Sequence, residues 1–188
     1  MTATEVVGRI LSEVDASVRV LYFGALLARE AGLGPEGMVI VGGSAIEIYT
    51  RGGYVSGDID LVADKTRVQP VLESWGFRKT GRVWVQADWK IVVDIVRRYD
   101  AYHGSLQRTE VVLTPYGGVR VEAVEDAMVR RLISSRYWQQ SDDFDLAVAV
   151  ATTHAEDIDW SYAEEIAATD RVLDLLTLLH ERVRPRLP

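Results

Sequence analysis

Four apolar residues, Met38-Val39-Ile40-Val41, run directly into Gly42-Gly43-Ser44, and a second apolar run with two carboxylates, Asp58-Ile59-Asp60-Leu61-Val62-Ala63, follows after a connector. A short apolar run closed by glycines suits a buried strand. Two glycines let the backbone turn sharply into a helix over residues 45–51. Residues 58–63 read as the next strand and 68–75 as the next helix. Residues 83–86 and 90–96 read as a hairpin, and 110–114 with 118–122 as another strand pair. The order β-α-β-α-β-β-β-β predicts a mixed sheet with helices on it, an α/β (α+β) core over residues 35–122.

Helical segments flank this core. In residues 4–32 the apolar positions Val6, Ile10, Val14, Val18, Leu21 and Tyr22 recur at three- and four-residue steps. Asp15 can start a helix, so one broken helix and two short ones both fit this N-terminal segment, residues 1–34. Residues 123–188 form a C-terminal helical region. Ala127, Leu132, Ile133 and Tyr137 make one stripe, Leu146 to Val150 belong to a second helix, and residues 160–183 read as a third. Residues 184–188 read as a frayed tail.

Composition narrows the chemistry. The chain has no cysteine, which excludes disulfides, Cys-ligated zinc, iron–sulfur clusters and Cys nucleophiles. Its three histidines, His103, His154 and His180, are far apart, so a metal here is held by oxygen. Acids outnumber bases 28 to 21, a net charge of −7. Residues 101–188 hold 15 of the acids and 9 of the bases, net −6. This is not the footprint of a general nucleic-acid binder. No apolar run approaches the ~20 residues of a membrane span, and no signal-peptide pattern is present. The expectation is a cytoplasmic protein with no membrane partner.

The chemistry-bearing residues lie between Val39 and Asp94. Ser44 can cap the helix after the glycine turn or donate to a phosphate, and free N–H groups at a helix start favour an anion. Asp58 and Asp60 are two apart on a strand and project from one face. Two such carboxylates repel each other. They either face water, pair with an arginine, or share a divalent cation, and hard oxygen ligands suit Mg²⁺ or Mn²⁺. Asp94 sits in the apolar run Ile91-Val-Val-Asp-Ile-Val96, where a carboxylate is costly unless hydrogen-bonded or bound to metal.

Together, Val41-Gly42-Gly43-Ser44, then Asp58-Ile59-Asp60, then Asp94 on a later strand resemble the nucleotidyltransferase superfamily of the DNA polymerase β type. The segment from Gly42 to Val62 looks like the small prokaryotic branch associated with abortive infection and toxin–antitoxin pairs. The resemblance extends to Glu125-Asp126…Arg131-Leu132 and Asp142-Asp143-Phe144-Asp145-Leu146, with Arg131 where that branch often has lysine.

The resemblance implies a metal-dependent nucleotidyltransferase core. It implies transfer of a nucleoside monophosphate from a nucleoside triphosphate to a hydroxyl of an RNA, a protein or a small molecule. On that pattern Asp58, Asp60 and Asp94 are catalytic and hold Mg²⁺ or Mn²⁺. Gly42, Gly43 and Ser44 bind the triphosphate. Arg131 either steadies the phosphates or pairs with Asp145. The alternative is a catalytically weak or inactive relative that binds nucleotide or a partner protein from a paired gene, as one half of a toxin–antitoxin pair.

Weaker candidates accompany these. Trp84, Trp89, Trp138 and Trp160 either stack a base or fill the core. Arg97-Arg98 faces a ligand or water. Asp142, Asp143 and Asp145 form a helix cap or a metal site. The glycine-containing stretch 49–54 is a connector able to close over nucleotide.

Overall fold

Asp15 splits the first helical segment in two: α1 is Ala3–Leu11 and α2 is Ala16–Glu30, and the Asp15 carboxylate accepts the N–H groups of Ser17 and Val18 at the start of α2. The computed structural model describes residues 3–99, 102–138 and 141–183, so the tail read over 184–188 lies outside the described residues. The chain forms two units, Met1–Glu122 and Ala123–Pro188.

In the first unit seven strands form one mixed sheet: β1 Met38–Ile40, β2 Ile59–Ala63, β3 Arg78–Thr80, β4 Val83–Gln86, β5 Ile91–Arg97, β6 Glu110–Thr114 and β7 Gly117–Val121. Helices α3, Gly42–Tyr49, and α4, Lys65–Ser74, follow β1 and β2. The order across the sheet is β3-β4-β5-β2-β1-β7-β6. The β2–β5 and β1–β7 pairs are parallel and the other neighbours antiparallel. The alternating strand–helix pattern is thus observed. Strand β3 was not expected: all three of its residues are exposed, so it carries no apolar alternation.

Side-chain alternation assigns the two faces of the sheet. Ile40, Leu61, Val93 and Val119 point to one face and join Phe23, Leu26 and Leu27 of α2 and Val68 and Leu72 of α4 in the main core. Val39, Val41 and Val62 point the other way, into a small cluster with Tyr99, Tyr102 and Leu106. Asp60 and Asp94 share the parity of this second face.

The second unit contains α5 Val124–Trp138, α6 Ser141–Thr153, α7 Trp160–Thr169 and α8 Leu173–Val183. The single helix expected over 160–183 is two. Arg171 takes a left-handed φ of 59°, and the Val172 N–H closes back on the Ala167 carbonyl. A non-glycine residue in this conformation leaves no clear mark in sequence. Glu125 accepts the Asp159 N–H, and the Tyr162 hydroxyl donates to Asp126, so these acids brace α5 against the start of α7. Among the described residues no helix is long and apolar enough to cross a membrane.

Leu61 is fully buried, whereas Leu113, on the outermost strand β6, is 80% exposed. Leu61→Ala should lower the unfolding free energy by about 2–5 kcal/mol. Leu113→Ala should change it by less than about 0.5 kcal/mol. Paired urea titrations of the two variants check this assignment of inside and outside.

Candidate metal centre

Register brings the three aspartates together. Strands β2 and β5 run parallel with Asp60 directly beside Asp94. Asp58, two residues before Asp60, projects from the same face. One carboxylate oxygen from each of Asp58, Asp60 and Asp94 lies within 4.8 Å of the others. Among the described residues this is the group of acids gathered closely enough to hold a metal. Asp94 is 2% exposed; Asp58 and Asp60 are half-buried.

The start of α3 faces these acids. The Gly43 N–H donates to Asp60 Oδ2 at 3.0 Å, and the Gly42 N–H donates to Glu122 Oε1 at 2.6 Å. Gly42 has φ 63°, and a Cβ built there would stand 2.5 Å from Asp60 Oδ2. At Gly43 a Cβ would stand 2.5 Å from Ser56 Oγ and 3.7 Å from Asp60 Oδ2. Gly42 is therefore needed for the close approach of the Asp60 carboxylate to the helix start, and Gly43 for the close approach of Ser56. The anion that the sequence placed at this turn is, in the free protein, the protein's own.

Ser44 does not cap α3. The helix begins at Gly42, with Val41 at the cap position and no side-chain cap. The buried Ser44 hydroxyl instead donates to the Asp58 carbonyl at 2.9 Å and accepts the Asp60 N–H at 3.0 Å. It fixes the backbone on either side of Ile59 and so sets where both carboxylates emerge. Glu122 was not singled out from sequence. Its only signal is an acid at the end of an apolar strand, and it is fully buried.

Arg82 was also missed. It stands in the turn between β3 and β4, its side chain 83% exposed, with Nε 3.0 Å from Asp94 Oδ2. The pair is ionic: Asp94 Oδ2 is buried and has no aligned hydrogen-bond donor. Three convergent hard oxygen donors, one of them buried without a hydrogen bond, fit a divalent cation.

The other candidates have surroundings of their own. Arg131 pairs with Asp143 at 3.0 Å, not with Asp145, and the Ser134 hydroxyl also donates to Asp143. Asp145 pairs with Arg182 at 3.3 Å. The Asp142–Asp145 stretch thus supplies interhelical pairs rather than a ligand cluster. Trp84 is in the main core, Trp138 is exposed, and Trp160 stacks on His180 with centroids 4.0 Å apart. Trp89 meets Phe77 edge-on and is half-buried. Arg97 and Arg98 are exposed.

A cavity of about 360 Å³ opens beside Asp58, lined also by Glu47 of α3, Arg19 and Phe23 of α2, and Trp89. Glu47 is 3% exposed, and its Oε2 accepts the Ser56 N–H at 2.7 Å. Burial pushes its carboxyl above the ordinary glutamate range, opposed by the Ser56 hydrogen bond and by Arg19, while Asp15 adds a small rise.

Compared with protein-family models, with curated proteins and with solved structures, the chain has no match in any of the three.

Two outcomes follow from this geometry. Arg82→Ala removes the cation beside Asp94, so the thermal midpoint in EDTA should fall, and Asp94→Asn in that background should restore it. A melt of Arg82→Ala unchanged from wild type would show that the pair contributes nothing. Glu47 holds its proton more tightly folded than unfolded. Its contribution to stability is therefore greatest below the ordinary glutamate pKa and declines as pH rises through the raised folded value. Urea midpoints across that window should show this decline, and Glu47→Gln should flatten it.

Proposed function

We propose that this protein is a metal-dependent nucleotidyltransferase-like enzyme that transfers a nucleoside monophosphate from a nucleoside triphosphate to a hydroxyl acceptor. The observation that carries the reading is the convergence of Asp58, Asp60 and Asp94 within 4.8 Å beside a glycine turn, with Asp60 and Asp94 on two adjacent parallel strands and Asp58 immediately before the first of them. Phosphoryl-group chemistry needs little covalent work from the protein and much positioning and charge neutralisation. Asp58, Asp60 and Asp94 hold Mg²⁺ or Mn²⁺, which supplies the charge that lets a triphosphate approach three carboxylates. Gly42 and Gly43 keep that approach clear of side chains, and Ser44 holds the backbone that aims Asp58 and Asp60. Asp94 takes the proton of the attacking hydroxyl. The new bond joins that oxygen to the α-phosphorus, and the bond to pyrophosphate breaks.

One observation favours a second reading. Arg82 already neutralises Asp94, and the Gly43 N–H already binds Asp60. Internal partners of this kind suit a catalytically weak relative that binds nucleotide, or a partner protein of a toxin–antitoxin pair, through the same acids.

Calorimetry with a nucleoside triphosphate separates these readings from an ordinary acid cluster. Binding is expected with Mg²⁺ or Mn²⁺ and should drop by at least about tenfold in EDTA; equal affinity in both removes the metal from the account. Incubation with an α-phosphate-labelled triphosphate and cell extract then tests turnover. The enzyme labels an acceptor and the Asp58→Asn, Asp60→Asn double variant does not. Metal-dependent binding without labelling supports the second reading. The asparagines keep an acceptor for the Gly43 N–H, so the variant should fold.

A further inference from the structure

The cavity beside Asp58 carries an inference of its own. Its apolar wall comes from Ile10 of α1 with Val20 and Phe23 of α2, and Trp89 stands at its side. Its charged groups are unevenly buried. Glu47 lies deep, at 3% exposure, Asp58 and Arg19 are half-buried, and Lys90 is exposed at the rim. Among the described residues no arginine or lysine stands within ion-pair distance of Glu47; Oε2 is engaged by the Ser56 N–H, and the nearby Arg19 gives its Nη1 to the Glu13 carbonyl at 2.8 Å. A buried carboxylate with no cation on it is an incomplete arrangement. An organic cation entering an apolar pocket completes it, because its body removes apolar surface from water and its ammonium meets the carboxylate.

We infer that this cavity is a binding site for a small aryl-bearing amino alcohol, its ring against Phe23 and Trp89, its ammonium on Glu47 and its hydroxyl toward Asp58. The volume, about 360 Å³, lies near the lower end of the range of small-molecule sites. It is far short of what a folded partner or a polynucleotide occupies, and a polynucleotide calls for a basic track, which this lining lacks. Because Asp58 belongs both to the cavity and to the metal centre, the hydroxyl of such a ligand points toward the acids. Resting on the reading proposed above, the ligand is then the acceptor. Its hydroxyl oxygen bonds to the α-phosphorus of the nucleoside triphosphate, pyrophosphate leaves, and the hydroxyl proton passes to the acid cluster.

The binding claim is tested without metal, so that it stands or falls apart from the transferase reading. Phenylethanolamine, the neutral phenylethanol and the anionic mandelate are titrated in EDTA and followed by ligand-observed NMR. Phenylethanolamine should bind in the millimolar range or tighter, ahead of phenylethanol, with mandelate weakest. Glu47→Gln keeps an oxygen for the Ser56 N–H and should weaken phenylethanolamine by at least about tenfold while leaving phenylethanol unchanged. Ala16→Phe, which fills the cavity from the first turn of α2, should abolish both. Failure of all three probes, or binding indifferent to both substitutions, overturns the site. Wild type with Mn²⁺, labelled triphosphate and phenylethanolamine then tests the acceptor role. Label on the probe confirms it. Binding without label keeps the site and removes the acceptor role, and the extract labelling described above decides separately whether transferase activity exists.

Discussion

Two carboxylates on the N-terminus of one short helix organise the first unit. Asp60 takes the Gly43 N–H and Glu122 takes the Gly42 N–H. The amides at a helix start have no intrahelical partners, and the helix dipole favours negative charge there. The interaction therefore satisfies both sides. It also ties three strands to α3, because Glu122 follows β7, Gly42 follows β1 and Asp60 lies in β2. The Tyr49 hydroxyl, at the far end of α3, donates to the Glu122 carbonyl and fixes the same corner again.

That anchoring explains how like charges are held close. Asp58, Asp60 and Asp94 repel one another, and the fold offsets this with three different devices. Asp60 leans on a helix amide, Asp94 on the Arg82 guanidinium, and Asp58 receives the Ser56 hydroxyl at 3.5 Å. The Arg82 device is the softest, since a long exposed side chain is easily exchanged for another cation. The helix amide is the hardest, because moving Asp60 moves β2 itself.

Much of this was legible in the sequence because the strands that carry the acids are apolar. Ile59 and Leu61 announce the buried face and thereby assign Asp58 and Asp60 to the other; the run around Asp94 does the same. Strand β3 was invisible for the opposite reason: Arg78-Lys79-Thr80 buries nothing and exists through its pairing with β4. With β3 unseen, the turn that delivers Arg82 was unseen too. Ser44 was misplaced by a local argument. Capping rules consider a hydroxyl and the next few amides, whereas its real partners are 14 and 16 residues further along. Glu122 escaped because its partner is 80 residues away. Sequence pattern alone does not state which acid reaches which amide across that span.

The same 80-residue separation sets an order of assembly during synthesis. The hydrogen-bond ladder of α3 is local, confined to residues 42–49 and their immediate neighbours. Its Gly42 amide, however, has no carboxylate to meet until β7 has been made and laid beside β1. Closing so long a loop is an entropic barrier that local helix formation does not face. The acid-rich corner is therefore a late product of folding, completed only when the last strand of the first unit arrives. Until then β1, which pairs with β2 on one side and with β7 on the other, carries an open edge, the condition in which an unpaired strand is most exposed to capture by the wrong neighbour.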